Sequence, residues 1–311
     1  MSEADPVAPA SGIDGFLLID KPSGLTSQHA VSRVKRTLGV RKAGHAGTLD
    51  PMATGLLVVG LGKATRLLGY FADKDKQYRA TIRFGQATTT DDAEGTPLGD
   101  PVDATALTRA DLAAAVPAYI GQIEQVPSTV SAIKVDGRRA YDLARAGLAV
   151  ELKPRLVTVT RFTVDEYRPG AGWLDVDVTV ECSAGTYIRA LARDLGRDLG
   201  VGAHLTALRR TRSGQLDVAD AVILDEVSAN DVEPLARMAE LVAPRVDVDE
   251  SAARAAAVGR TLDCRLPGEL ATVFSGPDLL GLYRRDPDDP NRARPVRIFA
   301  EPAAIGDGRQ R

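Results

Sequence analysis

The sequence GHAGTLDPMATGLL, at residues 44–57, places one carboxylate, Asp50, among small residues directly before an apolar stretch. Pro51 disfavours a helical conformation at Asp50 and holds it in an extended or turn geometry. Gly44 and Gly47 allow a ligand to approach the main chain closely. A carboxylate displayed in this way suits nucleophilic or acid–base chemistry. For this segment taken alone, a structural Asx-type turn between two elements is the simpler explanation.

Other kinds of reactive site have little support in the sequence. Three histidines and two cysteines are scattered along the chain without ligand spacing, which argues against a zinc site and a disulfide framework. No G-x-S-x-G elbow occurs, and the glycines at residues 44–55 match neither a phosphate loop nor a dinucleotide fingerprint. The sequence therefore predicts no metal and no nucleotide cofactor.

Apolar periodicity predicts the elements that would position Asp50. Strands are expected at residues 16–19, 56–59, 77–84, 128–135, 155–167 and 173–182. Helices are expected at residues 27–38, capped by Ser27, at 108–121, weakened by Pro117, and at 138–146 and 186–199. The last helix carries Arg189, Arg193 and Arg197 on one stripe, a pattern that a solvated helix face also produces.

Charge is unevenly distributed along the 311 residues, although the net charge is only −3. Residues 11–70 carry eight Lys or Arg against three Asp or Glu, and residues 183–214 carry six against two. Residues 215–253 carry two against ten. Such segregation is compatible with a positive groove for nucleic acid, and equally with ordinary solvated surfaces. No apolar run approaches the roughly 20 residues that span a bilayer.

Five segments read together carry more information than any one of them. They are KPSGLTS at residues 21–27, GHAGTLDPMATGLL at 44–57, KQYRA at 76–80, CSAGTYIRALARDLG at 182–196 and GAHLTALRR at 202–210. In this order they strongly resemble the TruB family of pseudouridine synthases, which isomerise a T-loop uridine of transfer RNA. Residues 126–147, VPSTVSAIKVDGRRAYDLARAG, are similar to this family too. The resemblance covers about residues 13 to 212, and five motifs in register make coincidence very improbable.

The resemblance implies roles for particular residues. Asp50 corresponds to the catalytic aspartate, and Arg189 to the arginine that pairs with it. Tyr78 corresponds to the tyrosine that stacks on the target uracil and is a candidate for proton transfer. Tyr187 and Leu208 correspond to residues that line the same pocket.

Three further positions are implied to support the site. His45 corresponds to a histidine that contacts RNA and holds the flipped loop. Asp92 fits a second acid beside the arginine, with Asp91 as the alternative choice. Lys21 corresponds to a supporting lysine of the first motif.

The fold that the resemblance implies is of the α/β class (α+β type). A catalytic domain with a central, mainly antiparallel sheet is expected over residues 13–240, with an RNA-contacting arm at 124–152. A small β-rich PUA-like domain is expected at 245–300, although no motif aligns there. Residues 1–12 and 301–311 are expected to be flexible tails.

The function implied is conversion of uridine 55 in the T-loop of tRNA to pseudouridine by base flipping. No cofactor is expected, because isomerisation involves no redox change or energy input. The expected partner is the T-arm of tRNA, and the protein is expected to be a cytoplasmic monomer without membrane association. A non-catalytic tRNA-binding or folding chaperone on the same scaffold is the alternative. An unrelated aspartate-dependent hydrolase explains Asp50 but leaves the other four motifs unexplained.

Overall fold

The computed structural model describes residues 12–128 and 152–300, together with two short strands between these ranges. The strands are β1 (Gly15–Lys21), β2 (Ala43–Ala46), β3 (Thr54–Leu61), β4 (Lys76–Phe84), β5 (Ala87–Thr88), β6 (Pro97–Leu98), β7 (Gly121–Gln125), β8 (Lys134–Val135), β9 (Arg138–Arg139), β10 (Arg155–Pro169), β11 (Leu174–Cys182), β12 (Ala203–Ser213), β13 (Leu216–Asp217), β14 (Val222–Ile223), β15 (Glu233–Pro234), β16 (Arg245–Asp247), β17 (Leu270–Ser275), β18 (Asp278–Arg285) and β19 (Ala293–Ile298). The α-helices are α1 (Ser27–Leu38), α2 (Leu68–Ala72), α3 (Arg109–Ala115), α4 (Ile188–Asp198), α5 (Leu235–Glu240) and α6 (Glu250–Ala257). Short 3₁₀ helices occur at Gly62–Leu67, Val116–Tyr119, Val218–Asp220 and Ala229–Asp231.

A large mixed sheet forms the centre of the molecule, with strand order β14-β1-β3-β12-β4-β11-β10-β7. β2, β13 and β15 pair with β3, β12 and β1 at its margins. Among the described strand pairs of this large sheet, only β1 with β14 and β3 with β12 run parallel, so the sheet is mainly antiparallel. The predicted α/β class with a central, mainly antiparallel sheet is therefore confirmed.

The alternating strands β4 and β11 give their part of the sheet one buried and one polar face, whereas β1 and β3 are buried on both faces. Tyr78 lies opposite Val180 and Ala80 opposite Val178, with all four side chains buried. The intervening residues are polar and pair across the open face, as in the bidentate contact between Arg83 and Asp175 at 2.7 Å. Because alternate residues of a strand point to opposite faces, this pattern fixes Tyr78 on the inner side.

Helix α4 covers that inner side next to β12. Its apolar side chains Leu191 and Leu195 are 1% exposed and belong to the main core. Gly196 is the contact point, because an added Cβ would lie 2.4 Å from the Cβ of Ala203 on β12. The exposure of the three arginines of α4 therefore increases along the helix: the side chain of Arg189 is 3% exposed and that of Arg197 is 68% exposed.

The C-terminal unit contains a four-stranded sheet in the order β16-β17-β18-β19. It has its own apolar cluster, which includes Val273 and Tyr283. Leu282 and Phe299 belong instead to a cluster shared with the strand β1 of the large sheet, so the two parts pack against each other. A small β-rich unit after residue 244 is thus present, while its PUA type and the predicted domain boundaries stay predictions.

Several sequence predictions differ from the structure. Thr26, rather than Ser27, caps α1, because its side chain accepts from the main-chain N–H of His29. The helix predicted at 108–121 ends at Ala115, and Pro117 lies in a 3₁₀ turn, consistent with the missing N–H of proline. The helix predicted at 138–146 is wrong at its start, where β9 pairs with β8.

The remaining differences concern segments that are only partly described. Of the strand predicted at 128–135, only Lys134–Val135 is a strand in the part that the structure describes. The rest of the 138–146 prediction, most of the arm and the two tails, apart from residue 12, lie outside the described residues. Among the described helices, none has the length and apolar character needed to cross a membrane.

Candidate active site

Asp50 lies in the connection between β2 and β3, and main-chain contacts hold this connection. The hydroxyl of Ser27 on α1 accepts from the N–H of Leu49 at 2.8 Å and donates to its carbonyl at 3.0 Å. The N–H of Gly24 donates to the carbonyl of Pro51 at 2.8 Å. The Asp50 carboxylate points instead toward α4, where its Oδ2 lies 3.0 Å from Nε of Arg189. This contact gives Asp50 a function other than closing an Asx-type turn.

Lys21 also supports the connection between β2 and β3. Its fully buried ammonium donates to the carbonyls of Pro22 at 2.8 Å, Leu25 at 2.7 Å and Pro51 at 3.3 Å. Burial lowers the pKa of Lys21 to about 8, and the negative charge of Asp50 opposes that change. Lys21 therefore holds the carbonyl of Pro51, the residue that follows Asp50.

Arg189 joins two carboxylates. Its Nη1 lies 3.2 Å from Oδ2 of Asp92 and donates to the carbonyl of Thr90 at 2.7 Å. Burial raises the pKa of Asp50, the Arg189 charge lowers it, and the charge of Asp92 raises it. The side chain of Asp50 is 34% exposed, whereas those of Arg189 and Asp92 are 3% and 5% exposed. Asp50 is thus the member of this trio that a ligand reaches.

The two neighbouring acids, Asp91 and Asp92, point to different arginines of α4. Asp91 adopts a φ of 61° and pairs with Nη1 of Arg193 at 3.1 Å. A left-handed conformation is uncommon for a residue with a Cβ, and here it turns the chain between the two acids. Asp92, not Asp91, is consequently the acid beside Arg189.

A cavity of about 250 Å³ opens beside Asp50. This volume is below the range of drug-sized pockets, roughly 300–1,000 Å³, and suits a small planar group. Of the predicted site residues, Asp50, Tyr78, Tyr187, Arg189 and Leu208 line the cavity. Its other lining residues are Gly47, Thr48, Leu49, Ala72, Lys76, Ser183, Gly185, Thr186, Ile188 and Arg210. Lys21 and Asp92 are absent from this lining, but the charges of both act on Asp50, and Asp92 pairs with Arg189.

Arg210 is a buried lining residue to which the sequence analysis assigned no role. It is 1% exposed, and it donates from Nε to the carbonyl of Leu56 at 2.7 Å and from Nη2 to that of Gly47 at 3.0 Å. Burial raises the pKa of the Tyr78 hydroxyl, and the hydrogen-bonded Arg210 opposes this. Arg210 therefore ties the connection that carries Asp50 to the strand that carries Tyr78. Its position inside the quoted 202–210 segment was the available signal.

Lys76 is the second lining residue that the sequence analysis did not single out. Its ammonium is buried and donates to the carbonyls of Ala72 and Lys74. Burial, assisted by the charge of Arg210, lowers the pKa of Lys76 to about 8. Lys76 is in phase with the buried residues Tyr78 and Ala80 of β4, so the alternation of that strand was the available signal.

His45 lies on β2, opposite Val59, and is absent from the described cavity lining. Burial and the charge of Arg210 lower its pKa, which favours the neutral imidazole. The structure therefore does not bring His45 into the pocket, and its predicted RNA contact stays a prediction. Within residues 12–128 and 152–300, no group of three or more His, Cys, Asp or Glu side chains could hold a metal ion.

The fold and the pocket define an enzyme whose partly exposed carboxylate faces a small, tyrosine-lined cavity. Solved structures support the fold. A chain in the "Crystal Structure of a Cbf5-Nop10-Gar1 Complex" superposes on the protein with a TM-score of 0.69 and 24% sequence identity. The match covers 98% of this chain and 93% of that chain. A chain in the "Structure of H/ACA RNP bound to a substrate RNA containing 2'-deoxyuridine" matches with a TM-score of 0.67 and 24% sequence identity. This match covers 93% of this chain and 86% of that chain.

Sequence comparisons identify the family. Residues 35–188 match the model of the TruB family pseudouridylate synthase N-terminal domain, and residues 189–244 match that of the tRNA pseudouridylate synthase B C-terminal domain. A Cutibacterium acnes protein named tRNA pseudouridine synthase B is 49% identical over 92% of this chain and 98% of its own length. A Thermobifida fusca protein of the same name is 59% identical over 72% of this chain and 78% of its own length. The chain belongs to the TruB family of pseudouridylate synthases.

Proposed function

We propose that the protein converts uridine 55, in the T-loop of tRNA, to pseudouridine. Membership of the TruB family makes the reaction class a uridine isomerisation, and the relatives named tRNA pseudouridine synthase B support tRNA as substrate. The single observation that carries the chemistry is the partly exposed Asp50 carboxylate held 3.0 Å from buried Arg189 at the cavity.

The reaction breaks the bond from N1 to C1′ and forms a bond from C5 to C1′. C5 then loses its proton and N1 gains one, so the product is an isomer and no oxidant or reductant enters. Asp50 serves either as a nucleophile at C1′ or C6, or as the base that supports a glycal-like intermediate. Each route requires the ionised carboxylate, which Arg189 favours against the effect of burial.

The target base must leave its stack to reach Asp50, and the lining of the cavity compensates for this cost. Flipping costs a few kcal/mol, and stacking on an aromatic side chain returns about 1–3 kcal/mol per base. Tyr78 and Tyr187 supply the aromatic rings and Leu208 an apolar contact. Burial raises the pKa of the Tyr78 hydroxyl, which disfavours the phenolate and makes the hydroxyl a weaker acid, so Tyr78 serves as a stacking group and a hydrogen-bond donor.

Release of tritium from C5 of uridine in unmodified tRNA tests the reaction directly. Mass-spectrometric mapping of the product then locates the modified position. We expect stoichiometric release and modification at position 55; modification at another position refutes the T-loop assignment, and binding without release favours the chaperone alternative.

We further propose that the protein acts as a monomer in the cytoplasm. Among the described residues, Asp50, Tyr78 and Arg189 of one chain meet at the cavity, which is compatible with activity as a monomer, and a tRNA substrate is consistent with the cytoplasm. Light scattering coupled to size-exclusion chromatography tests the first statement, and cell fractionation tests the second.

A further inference from the structure

Gln125 is a buried polar residue outside the cavity to which the proposed chemistry assigns no role. It ends β7 and is 1% exposed. Its Oε1 accepts from the main-chain N–H of Tyr187 at 2.8 Å, and its Nε2 donates to the carbonyl of Tyr187 at 3.1 Å. One side chain thus satisfies both main-chain groups of a cavity-lining residue, and buried amides need such partners.

The position of Tyr187 links its contact with Gln125 to the active site. Tyr187 immediately precedes α4, and its own side chain does not cap that helix. Arg189 follows two residues later in the first turn and meets Asp50. A shift of the Tyr187 peptide therefore moves the aromatic ring and the start of the helix that carries Arg189.

Two neighbouring contacts keep Gln125 in place. Arg193 of α4 donates from Nη2 to the carbonyl of Val126 at 2.7 Å. Arg155, the β10 partner of Gln125, places its guanidinium carbon 5.9 Å from the centre of the Tyr187 ring. Contacts of this length are attractive when the cation lies over the ring face. The residue that follows Gln125 and its partner on β10 therefore each contact α4 or the residue that precedes it.

We propose that Gln125 is a positioning residue for the isomerisation, which fixes the main chain of Tyr187 and, through it, the Tyr187 ring and Arg189. This role rests on the proposed function, since it concerns the same pocket. Gln125 acts on the rate of the bound complex and does not contact RNA.

The test compares Gln125→Met, which removes both hydrogen bonds at similar volume, with Gln122→Met on the same strand. Gln122 is exposed and provides the matched control. Single-turnover tritium release and tRNA binding are measured for each full-length variant. Because small displacements in an active site cost up to about 100-fold, we expect Gln125→Met to slow the bound-state rate roughly 10- to 100-fold with tRNA affinity changed less than about threefold.

A pH profile separates positioning from a general loss of stability. Asp50 is faced by Arg189, Asp92 and Lys21. If Gln125 positions Arg189, the acid limb of the rate moves to higher pH in Gln125→Met, because Arg189 then stabilises the Asp50 charge less. A merely structural role leaves the acid limb of the folded enzyme unchanged, and that result refutes the proposal. If Gln125→Met does not fold, Gln125→Asn, which keeps the neutral amide but shortens it so that it cannot reach both main-chain groups of Tyr187, is judged by the same criteria.

The outcomes distinguish this proposal from the function itself. No tritium release by the unaltered protein refutes the proposed function. Normal release by that protein and an equal rate in Gln125→Met refute only the positioning role. Weakened tRNA binding with an unchanged bound-state rate also refutes it, because Gln125 would then act in RNA binding.

Discussion

Replacing Arg189 with methionine should move the pH dependence of the reaction, because Arg189 holds the charge of Asp50. The guanidinium lies 3.0 Å from Asp50 and 3.2 Å from Asp92, and its side chain is 3% exposed. Methionine retains much of the side-chain length and removes the charge. In Arg189→Met, burial and the charge of Asp92 both raise the pKa of Asp50 without opposition from the arginine.

The expected size follows from the ionisation of Asp50. An opposite charge within hydrogen-bonding distance lowers a carboxyl pKa by about 1–3 units, each equivalent to roughly 1.4 kcal/mol. On the acid limb the rate is proportional to the ionised fraction of Asp50, so each unit lowers the rate tenfold. We therefore expect a loss of about 10- to 1,000-fold on the acid limb and a smaller loss at higher pH.

The assay is single-turnover tritium release across roughly pH 5 to 9 with saturating enzyme. Arg197→Met is the matched control, because this arginine lies on the same helix, is 68% exposed and pairs with Asp194 and Asp198. Breaking a buried ion pair costs about 3–5 kcal/mol of stability, so folding is checked first. Arg189→Lys is the second variant, since it keeps the charge but not the fork that spans two carboxylates.

Coincident acid limbs in Arg189→Met and the unaltered protein would refute this reasoning. That result would mean that Arg189 does not set the ionisation of Asp50 in the tRNA complex. An equal shift of the acid limb in Arg197→Met would also refute it, because the shift would then follow from the net charge of the protein and not from the contact between Arg189 and Asp50.

Three further changes test the support of the pocket. Lys21→Met removes three bonds to carbonyls and should lower the free energy of unfolding in urea by about 1–3 kcal/mol and slow turnover. Gly47→Ala forces a Cβ into a φ of 76° and to 3.3 Å from Nη1 of Arg210, so it should cost about 1–2 kcal/mol or more and slow turnover. Tyr78→Leu should slow single turnover by about 5- to 150-fold through lost stacking, whereas Tyr78→Phe retains the ring.

Each of these changes has a contrasting result. Gly172→Ala has a similar φ of 88° with nothing within 4 Å, so it should cost stability without affecting turnover. Equal turnover losses at Gly47 and Gly172 would contradict a specific contact with Arg210. Normal turnover in Lys21→Met would show that the Pro51 carbonyl needs no support, and equal rates in both Tyr78 variants would argue against stacking.

Local patterns in the sequence were sufficient for most of the fold near the site. Alternation at residues 77–84 and 173–182 predicted that β4 and β11 are strands, because each has one face in the core. The motifs identified Asp50, Tyr78, Tyr187, Arg189 and Leu208, all of which line one cavity. Their roles in catalysis stay predictions until the variants are measured.

Residues that act through long-range main-chain contacts had no such pattern. Arg210 bonds to carbonyls more than 150 positions earlier, and Gln125 bonds to a residue 62 positions later. A single arginine or glutamine gives no periodic signal for contacts of this kind. The choice between Asp91 and Asp92 likewise depended on one left-handed φ, which sequence spacing does not encode.

The most direct test of the account is the rate of tritium release by Asp50→Asn. This substitution keeps the shape of the side chain and removes the charge that faces the cavity. We expect no release above background from unmodified tRNA, with tRNA affinity within about threefold of the unaltered protein. Release at the normal rate would contradict the assignment of the chemistry to Asp50.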